Sequence, residues 1–381
     1  MIVYEEKIDQ DVNGNDILWV MRKVCIDCFQ YKIVKILLLL LAIFIAILTL
    51  VQGFRFLERF DGPYFIKYAP AFIRTFVILV AIAFISFGME TAIYVKDTTF
   101  WLIDSAGLES EKRIKKHAMY TNIFFVSYIV VGVISAIFHI IPLDDDNDVL
   151  YPLALFEEYV PDWKNLFSSI YRFTFLTVPF TLGIPLYTAI YIITTVYYQI
   201  LLFVVYVKNI NTDLDVENVK YQETIEKRLI FCIQRHSSFL KRMKESNRKM
   251  SATVLVFSIV GILLGASVLM FLFSFHMSFK IWYYRIITMV LPTGAIFIHI
   301  IFIGQSLENA ISQLEANLKM VEWYHWNIPN RKLYLIFLIN TQEQKGVKFS
   351  QNVSVNYKLG VSIAKAVYSL ISLMSNLRSI D

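Results

Sequence analysis

The sequence predicts an all-α, polytopic membrane protein of seven transmembrane helices, with a cytosolic N-terminus, an extracellular C-terminus and a cytoplasmic helical anchor region. Three observations predict it. First, 57% of the 381 residues are hydrophobic and only 18% are charged, whereas soluble domains run near a quarter charged; the mean hydropathy is +0.55. Second, uncharged runs long enough to cross a bilayer recur along the whole chain. Third, Lys and Arg collect on alternate loops. The same composition excludes a water-soluble enzyme, and the scarcity of Gly (13) and Pro (9) excludes collagen-like or disordered chains. Cys25, Cys28 and Cys232 are too few and too scattered for a disulfide framework.

In hydrocarbon every backbone N–H and C=O needs an internal partner, so the apolar runs must be helices. They lie at 36–54, 69–95, 118–143, 173–207, 250–279, 286–307 and 349–377. The fourth would span roughly 52 Å as a straight helix at ~1.5 Å per residue, more than a core of about 30 Å needs. It reads either as two spans turning at Pro185 or as one long span kinked by Pro179 and Pro185. Positive charge decides between them. Leaving aside Lys35, Arg74, Arg172, Lys358 and Lys365, which lie in or beside spans, twenty-four Lys and Arg fall on the N-terminal segment and on loops 96–117, 208–249 and 308–348; seven fall on the alternate loops and tail. Lys and Arg concentrate on the cytoplasmic side, so the fourth run is one span and the N-terminus is cytosolic. The chain then divides into a cytosolic segment 1–35, spans one to four over 36–207, a cytoplasmic loop and helix 208–249, spans five and six over 250–307, anchor helices 308–348, and span seven with its tail over 349–381.

This orientation is the reverse of a G-protein-coupled receptor. No Asp-Arg-Tyr follows span three and no Asn-Pro-x-x-Tyr lies in span seven, so no G protein is expected. A transporter would call for internal repeats, and none is visible. The six histidines are isolated on separate segments, without metal-ligand spacing. There is no glycine-rich phosphate loop, and Cys25-x-x-Cys28 has no second half. No catalysis, cofactor, metal or nucleic-acid partner is expected.

The outer loop 144–170 is acidic, with Asp144, Asp145, Asp146, Asp148, Glu157, Glu158 and Asp162 against one lysine. It reads either as a solvated loop or as a negative field that enriches cations near a pore. On the inner side, Ile225, Leu229, Ile233, Phe239 and Leu240 recur near helical spacing before span five. Leu307, Ile311, Leu314 and Leu318 do so below span six. With a short helix over 331–342 they predict a compact bundle beneath the membrane. Span seven differs from the rest: Ser354, Asn356, Ser362, Lys365, Ser369, Ser372, Ser375 and Asn376 interrupt its apolar face. Such a helix either lines water or bonds its serines internally and to a neighbouring helix.

Several of these features occur together in one family. The chain resembles insect odorant receptors of the odorant-specific type. The resemblance rests on the seven spans with a cytosolic N-terminus, and on Tyr151-Pro152 in an aromatic second outer loop. It rests also on Arg235-His236, on Gly304-Gln305 with Glu308, and on Trp323-Tyr324-His325-Trp326. Arg331-Lys332-Leu333, Gln342 and Lys365-Ala366-Val367-Tyr368-Ser369 complete it. The related gustatory receptors, the alternative reading, carry a Gln-Phe pair where Met374-Ser375 stands. The shared co-receptor has a longer loop between spans four and five.

The resemblance implies a subunit of a ligand-gated, non-selective cation channel in the plasma membrane. It would form a heterotetramer with co-receptor subunits, its pore lined by span seven with Ile371 at the gate and Met374 and Ser375 further out. It also implies a pocket for a small, volatile, apolar molecule in the outer half of the membrane, within segments 72–79, 131–139, 179–187 and 283–289. Their candidate ligand residues are Phe72, Phe76, Leu79, Ser135, Phe138, His139, Phe180, Thr181, Tyr187, Tyr283, Tyr284 and Ile287. A pocket of aromatics with a few hydroxyls suits a molecule carrying one weak acceptor, such as an ester, aldehyde or terpenoid.

Overall fold

The computed structural model describes residues 16–58, 61–87, 101–144, 146–212, 216–217, 220–274, 282–342, 348–350 and 353–378. The described residues are almost entirely helical. Helix α1 is Lys32–Glu58 and α2 is Gly62–Phe87. Helix α3, Leu108–Ile140, starts after Gly107, whose φ of 94° lies in the left-handed region. Two outer-side helices follow, α4 (Tyr151–Tyr159) and α5 (Lys164–Phe173). Then come α6 (Val178–Lys208), α7 (Tyr221–Ser274) and α8 (Trp282–Lys319). The short α9 is Ile328–Thr341 and the last helix, α10, is Tyr357–Arg378.

Among the described residues, six stretches are long and apolar enough to cross a membrane. The seventh, α10, is 22 residues long and carries Lys358 and Lys365. Helix α1 is apolar all round and buries only Ile45, Leu48, Gln52 and Phe56. That narrow stripe faces its neighbours, and the remainder is the surface expected of a helix solvated by lipid. Helix α6 is the opposite case: most of its side chains are buried and it forms the axis of the central core.

The fourth apolar run is one span, as its loop charges predict. A 3-10 turn, Thr174–Thr177, leads into a single helix with Pro179 in its first turn and Pro185 inside it. Pro179 sits where an N–H has no helical acceptor in any case. Pro185 leaves the Thr181 carbonyl without its helical donor; the Thr181 hydroxyl itself donates to the Thr177 carbonyl one turn back at 3.0 Å.

Several boundaries differ from expectation, among them the start of α3, at Leu108 rather than 118. Helix α2 starts at Gly62, not at 69; of the expected 69–95 run, residues 88–95 lie outside the described residues. Span seven starts at Tyr357, not at 349. Lys348–Ser350 and Val353–Ser354 form a small antiparallel pair instead. Asn356 then caps α10 by accepting from the Leu359 amide at 3.2 Å. The apolar residues of 349–356 alternate in strand fashion, which a count of uncharged residues does not register.

Beneath the membrane, the lower parts of α7 and α8 pack with α9 and the end of α6. Ile225, Leu229, Leu307, Ile311, Leu314 and Leu318 are all buried there, and Ile233, Phe239 and Leu240 are packed against them, as their spacing predicts. Helix α7 would be about 80 Å long at ~1.5 Å per residue, so it must leave a core of about 30 Å. Arg228 donates to the carbonyls of Asn209, Ile210 and Thr212, satisfying the C-terminal end of α6. Arg235 lies over the Trp101 ring and 4.4 Å from the Tyr206 ring. The Trp326 indole donates to Asn211 at 3.1 Å. The Arg331 guanidinium holds the Tyr324 and Trp326 carbonyls.

His236 lies against Phe203 and Phe337 in this lower bundle. Burial pushes its imidazole down to about 4. The unfolded chain takes that proton near pH 6.5, so between roughly 6.5 and 4 it binds more protons than the folded chain, and stability falls as pH falls through that window. The melting temperature of the detergent-solubilised protein should therefore drop between pH 7.5 and 5. In His236→Phe the drop should be smaller. Parallel melting curves for the two proteins would show that His236 contributes nothing to it.

Candidate functional site

Three helices, α3, α6 and α8, meet along a seam whose outer end holds a cleft. From α3 come Tyr128, Gly132, Ser135, Ala136 and His139. Val178, Pro179 and Leu182 of α6 form the second wall, with Phe175 from the turn before it. Thr288, Met289, Pro292 and Thr293 of α8 form the third. The walls come close because small residues face bulky ones. A Cβ on Gly132 would stand 2.5 Å from Pro179, and one on Gly183 would stand 2.5 Å from the Tyr128 ring. The free volume is about 40 Å³, near that of one or two waters (~30 Å³ each in the liquid) and far below the ~300 Å³ at which ligand pockets begin. An organic guest can enter only if side chains move.

The polar groups of the cleft are engaged with one another. The His139 ring donates through Nδ1 to the Ser135 carbonyl at 2.8 Å. Thr288 Oγ1 lies 3.2 Å from Ser135 Oγ, and Thr293 donates to the Met289 carbonyl at 2.8 Å. Tyr128 donates to the Pro179 carbonyl at 2.9 Å. His139 also stacks on Phe175, with ring centroids 4.7 Å apart. The Arg74 guanidinium lies 3.9 Å from the same Phe175 ring and donates to the Tyr171 hydroxyl at 2.6 Å.

Above the cleft sits a buried ion cluster. Asp146 accepts from Arg285 at 2.6 Å, from Arg172 on its other oxygen, and from the Leu143 amide at 3.0 Å. Arg285 also donates to the Ile141 carbonyl. One carboxylate thus joins the loop after α3 to the end of α5 and the start of α8. This corrects both readings of the acidic loop at its most important residue: Asp146 neither faces solvent nor adds to an outer negative field, because two guanidiniums enclose it. Glu157 and Glu158 are likewise paired, with Lys164 and Arg55. An open groove of about 470 Å³ flanks the cluster, lined by residues that include Ile140, Asn147, Lys164 and Arg172.

With this geometry in place, comparison with known proteins is decisive. A model of the family described as 7tm Odorant receptor matches residues 64–368. The chain belongs to the odorant receptor family. The structure of the insect olfactory receptor OR5 from Machilis hrabei superposes on the receptor with a TM-score of 0.62, covering 98% of this chain and 92% of that one at 9% identity. At that identity the likeness concerns the fold, a seven-helix membrane architecture. No curated protein matches the receptor in sequence.

Of the twelve residues read from sequence as ligand contacts, Ser135 and His139 line the cleft. Tyr187 lies next to it, with its ring 5.1 Å from Tyr128. Phe72 packs against Phe56 in an aromatic cluster beside α4. Leu79 packs against α1 and Phe180 against the central core. The Thr181 hydroxyl is spent on its own helix. Four residues point out of the single chain: Phe76 (48% exposed), Phe138 (43%), Tyr284 (73%) and Ile287 (52%). The physical reason is rotation. Phe138 precedes His139 by ~100° of helical turn, while Tyr284 and Ile287 are turned ~100° or more away from Arg285 and Met289 around α8. The side chains of Tyr283, Ile371, Met374 and Ser375 lie outside the described residues. Sequence reasoning missed Tyr128, Phe175, Thr288 and Arg74. The place of Arg74 inside an apolar span was the available signal.

Replacing Asp146 tests the cluster. Asp146→Asn leaves two guanidiniums short of a charge partner, and losing one member of a buried pair costs roughly 3–5 kcal/mol. The solubilised receptor should melt at a clearly lower temperature. Arg285→Gln should cost more than Arg172→Gln, because Arg285 is the more deeply buried partner. The reverse order would move the weight of the cluster to α5.

Proposed function

We propose that this odorant receptor is the odorant-specific subunit of a ligand-gated, non-selective cation channel in the plasma membrane. It assembles as a heterotetramer with co-receptor subunits, the small volatile ligand enters the α3–α6–α8 cleft, and cations pass along α10. Ile371 forms the gate, with Met374 and Ser375 on its outer side, and no G protein takes part. Around the cleft, Ser135, His139 and Tyr187 are the contacts retained from the sequence reading.

The observation that carries this reading is the surface of α10. Ser362, Lys365 and Ser369 follow one another along the helix and are all exposed in the single chain. A lysine at the centre of a lipid-facing helix costs about 2.5–3.5 kcal/mol on insertion scales. A polar stripe of this kind is compatible with the membrane when it faces water or other subunits, and copies around an axis supply both. The lower end of α10 is held by α8. Asn356 donates to Glu308 at 2.9 Å and the Tyr357 amide donates to Gln305 at 3.2 Å. At Gly304 a Cβ would collide with the Val355 carbonyl. The Gly304-Gln305 and Glu308 motif is thus the socket of α10, and α8 also forms one wall of the cleft.

Co-expression with the co-receptor should give odour-evoked inward currents within milliseconds, unaffected by removal of GTP. Silence across a broad panel of volatiles, with both subunits at the surface, would refute the reading. Ile371→Ala should raise basal current or alter ion selectivity; an unchanged channel would place the gate elsewhere on α10.

A further inference from the structure

Below the cleft the same seam holds two polar atoms that have no partner. Tyr187 Oη on α6 and His299 Nδ1 on α8 are buried and make no hydrogen bond. Their rings lie 6.3 Å apart, nearly perpendicular. Phe125 closes on Tyr187 at 4.7 Å and Phe124 on His299 at 4.6 Å. Apolar surroundings make an unpaired donor or acceptor costly, and each such atom in a native structure calls for an explanation. Two of them converge here from different helices. The polar groups of the cleft itself, by contrast, already bond one another.

A single ring separates the two levels. Tyr128 forms the floor of the cleft, stands 5.1 Å from Tyr187, and is held by its bond to the Pro179 carbonyl and by contact with Gly183. A swing of that ring would bring the cleft into contact with the surroundings of Tyr187 and His299.

Building on the channel-subunit reading above, we propose that Tyr187 and His299 are the polar end of the ligand site, and that they take the hydroxyl of a volatile alcohol. The tyrosine and the imidazole must both be satisfied by one small group. A hydroxyl both donates and accepts, so it bridges them whichever ring nitrogen carries the imidazole proton. An ether or carbonyl oxygen only accepts, and it bridges them in one tautomer alone. The hydrocarbon part of the alcohol then fills the apolar cleft above, between Leu182, Val178, Met289 and Pro292.

The test uses the receptor co-expressed with the co-receptor, and measures currents evoked by straight-chain alcohols of six to ten carbons and by their isomeric methyl ethers. The wild-type channel should respond to the alcohol at concentrations about three- to tenfold lower than to its ether, the worth of one net hydrogen bond. His299→Leu should abolish that preference while the ether response and surface labelling persist, whereas Tyr187→Phe, which removes a donor that both oxygens accept from, should weaken the responses to alcohol and ether alike. Should either variant fail to reach the surface, Tyr128→Phe provides the second arm: freed from Pro179, the ring moves more easily, and sensitivity to alcohols should rise. Equal wild-type responses to alcohol and ether, a preference that survives in His299→Leu, or unchanged responses to both in Tyr187→Phe, would mean that the two atoms serve packing or a structural water, and the proposal falls. So would a channel opened by esters or alkanes and by no alcohol. A channel that no volatile of any class opens would instead overturn the reading of the receptor as an odorant-gated subunit.

Discussion

Hydrocarbon offers no hydrogen-bond partner, and this constraint organises the receptor. Every polar group inside the membrane must be matched by another group of the same chain or of a neighbouring one. Thr181 turns its hydroxyl onto its own helix beside Pro185, and His139 gives its proton to the carbonyl one turn earlier. Asp146 collects two guanidiniums and an amide. Where matching is complete, the helices are locked together; the Asp146 cluster fixes the outer ends of α3, α5 and α8. Matching is incomplete at several buried atoms, Tyr187 Oη and His299 Nδ1 on facing helices among them.

The close approach of α3 to α6 depends on two glycines. Gly132 receives Pro179 and Gly183 receives the Tyr128 ring, each at a distance that leaves no space for a methyl group. This packing makes the cleft small and places Tyr128 at its floor. Helix α8 completes the arrangement and continues inward to Gly304, Gln305 and Glu308, where it holds the first residues of α10. One rigid element therefore touches both the cleft and the base of the last helix. Packed interiors transmit displacement because they compress little, so on the channel reading proposed above a guest that pushed α8 outward by the width of a side chain would be felt at α10.

The sequence made the spans legible because lipid solvation acts on whole segments. A run such as 36–54 needs no knowledge of its neighbours to be read as a helix, and the loop charges then decide that the proline-bearing fourth run is one span. The lower bundle was legible for a different reason: in water an apolar stripe at Ile225, Leu229, Leu307 and Ile311 stands out against charge. Helical phase inside the membrane was not legible. When all faces are apolar, sequence does not say which face turns inward, and Phe138 and His139 are equally plausible until the α3–α6 contact chooses. Asp146 was misread because its partners are 26 and 139 residues away along the chain. No local pattern marks such a carboxylate as buried.

On the channel reading proposed above, a cleft of about 40 Å³ also bears on how a ligand would act. Burying about 150–250 Å² of apolar ligand surface contributes roughly 4–6 kcal/mol, and part of that must offset displacement of Tyr128 and of the walls around it. A ligand shifts a two-state equilibrium only by its difference in affinity for the two states. A volatile for which the closed cleft has no room has almost no affinity for the closed state, so nearly all of its binding energy favours the expanded one. A tightly packed, nearly closed site is thus better suited to gating than a roomy preformed pocket, which would hold the same molecule in both states and open nothing. Packing of Gly132 on Pro179 and of Tyr128 on Gly183 supplies that difference.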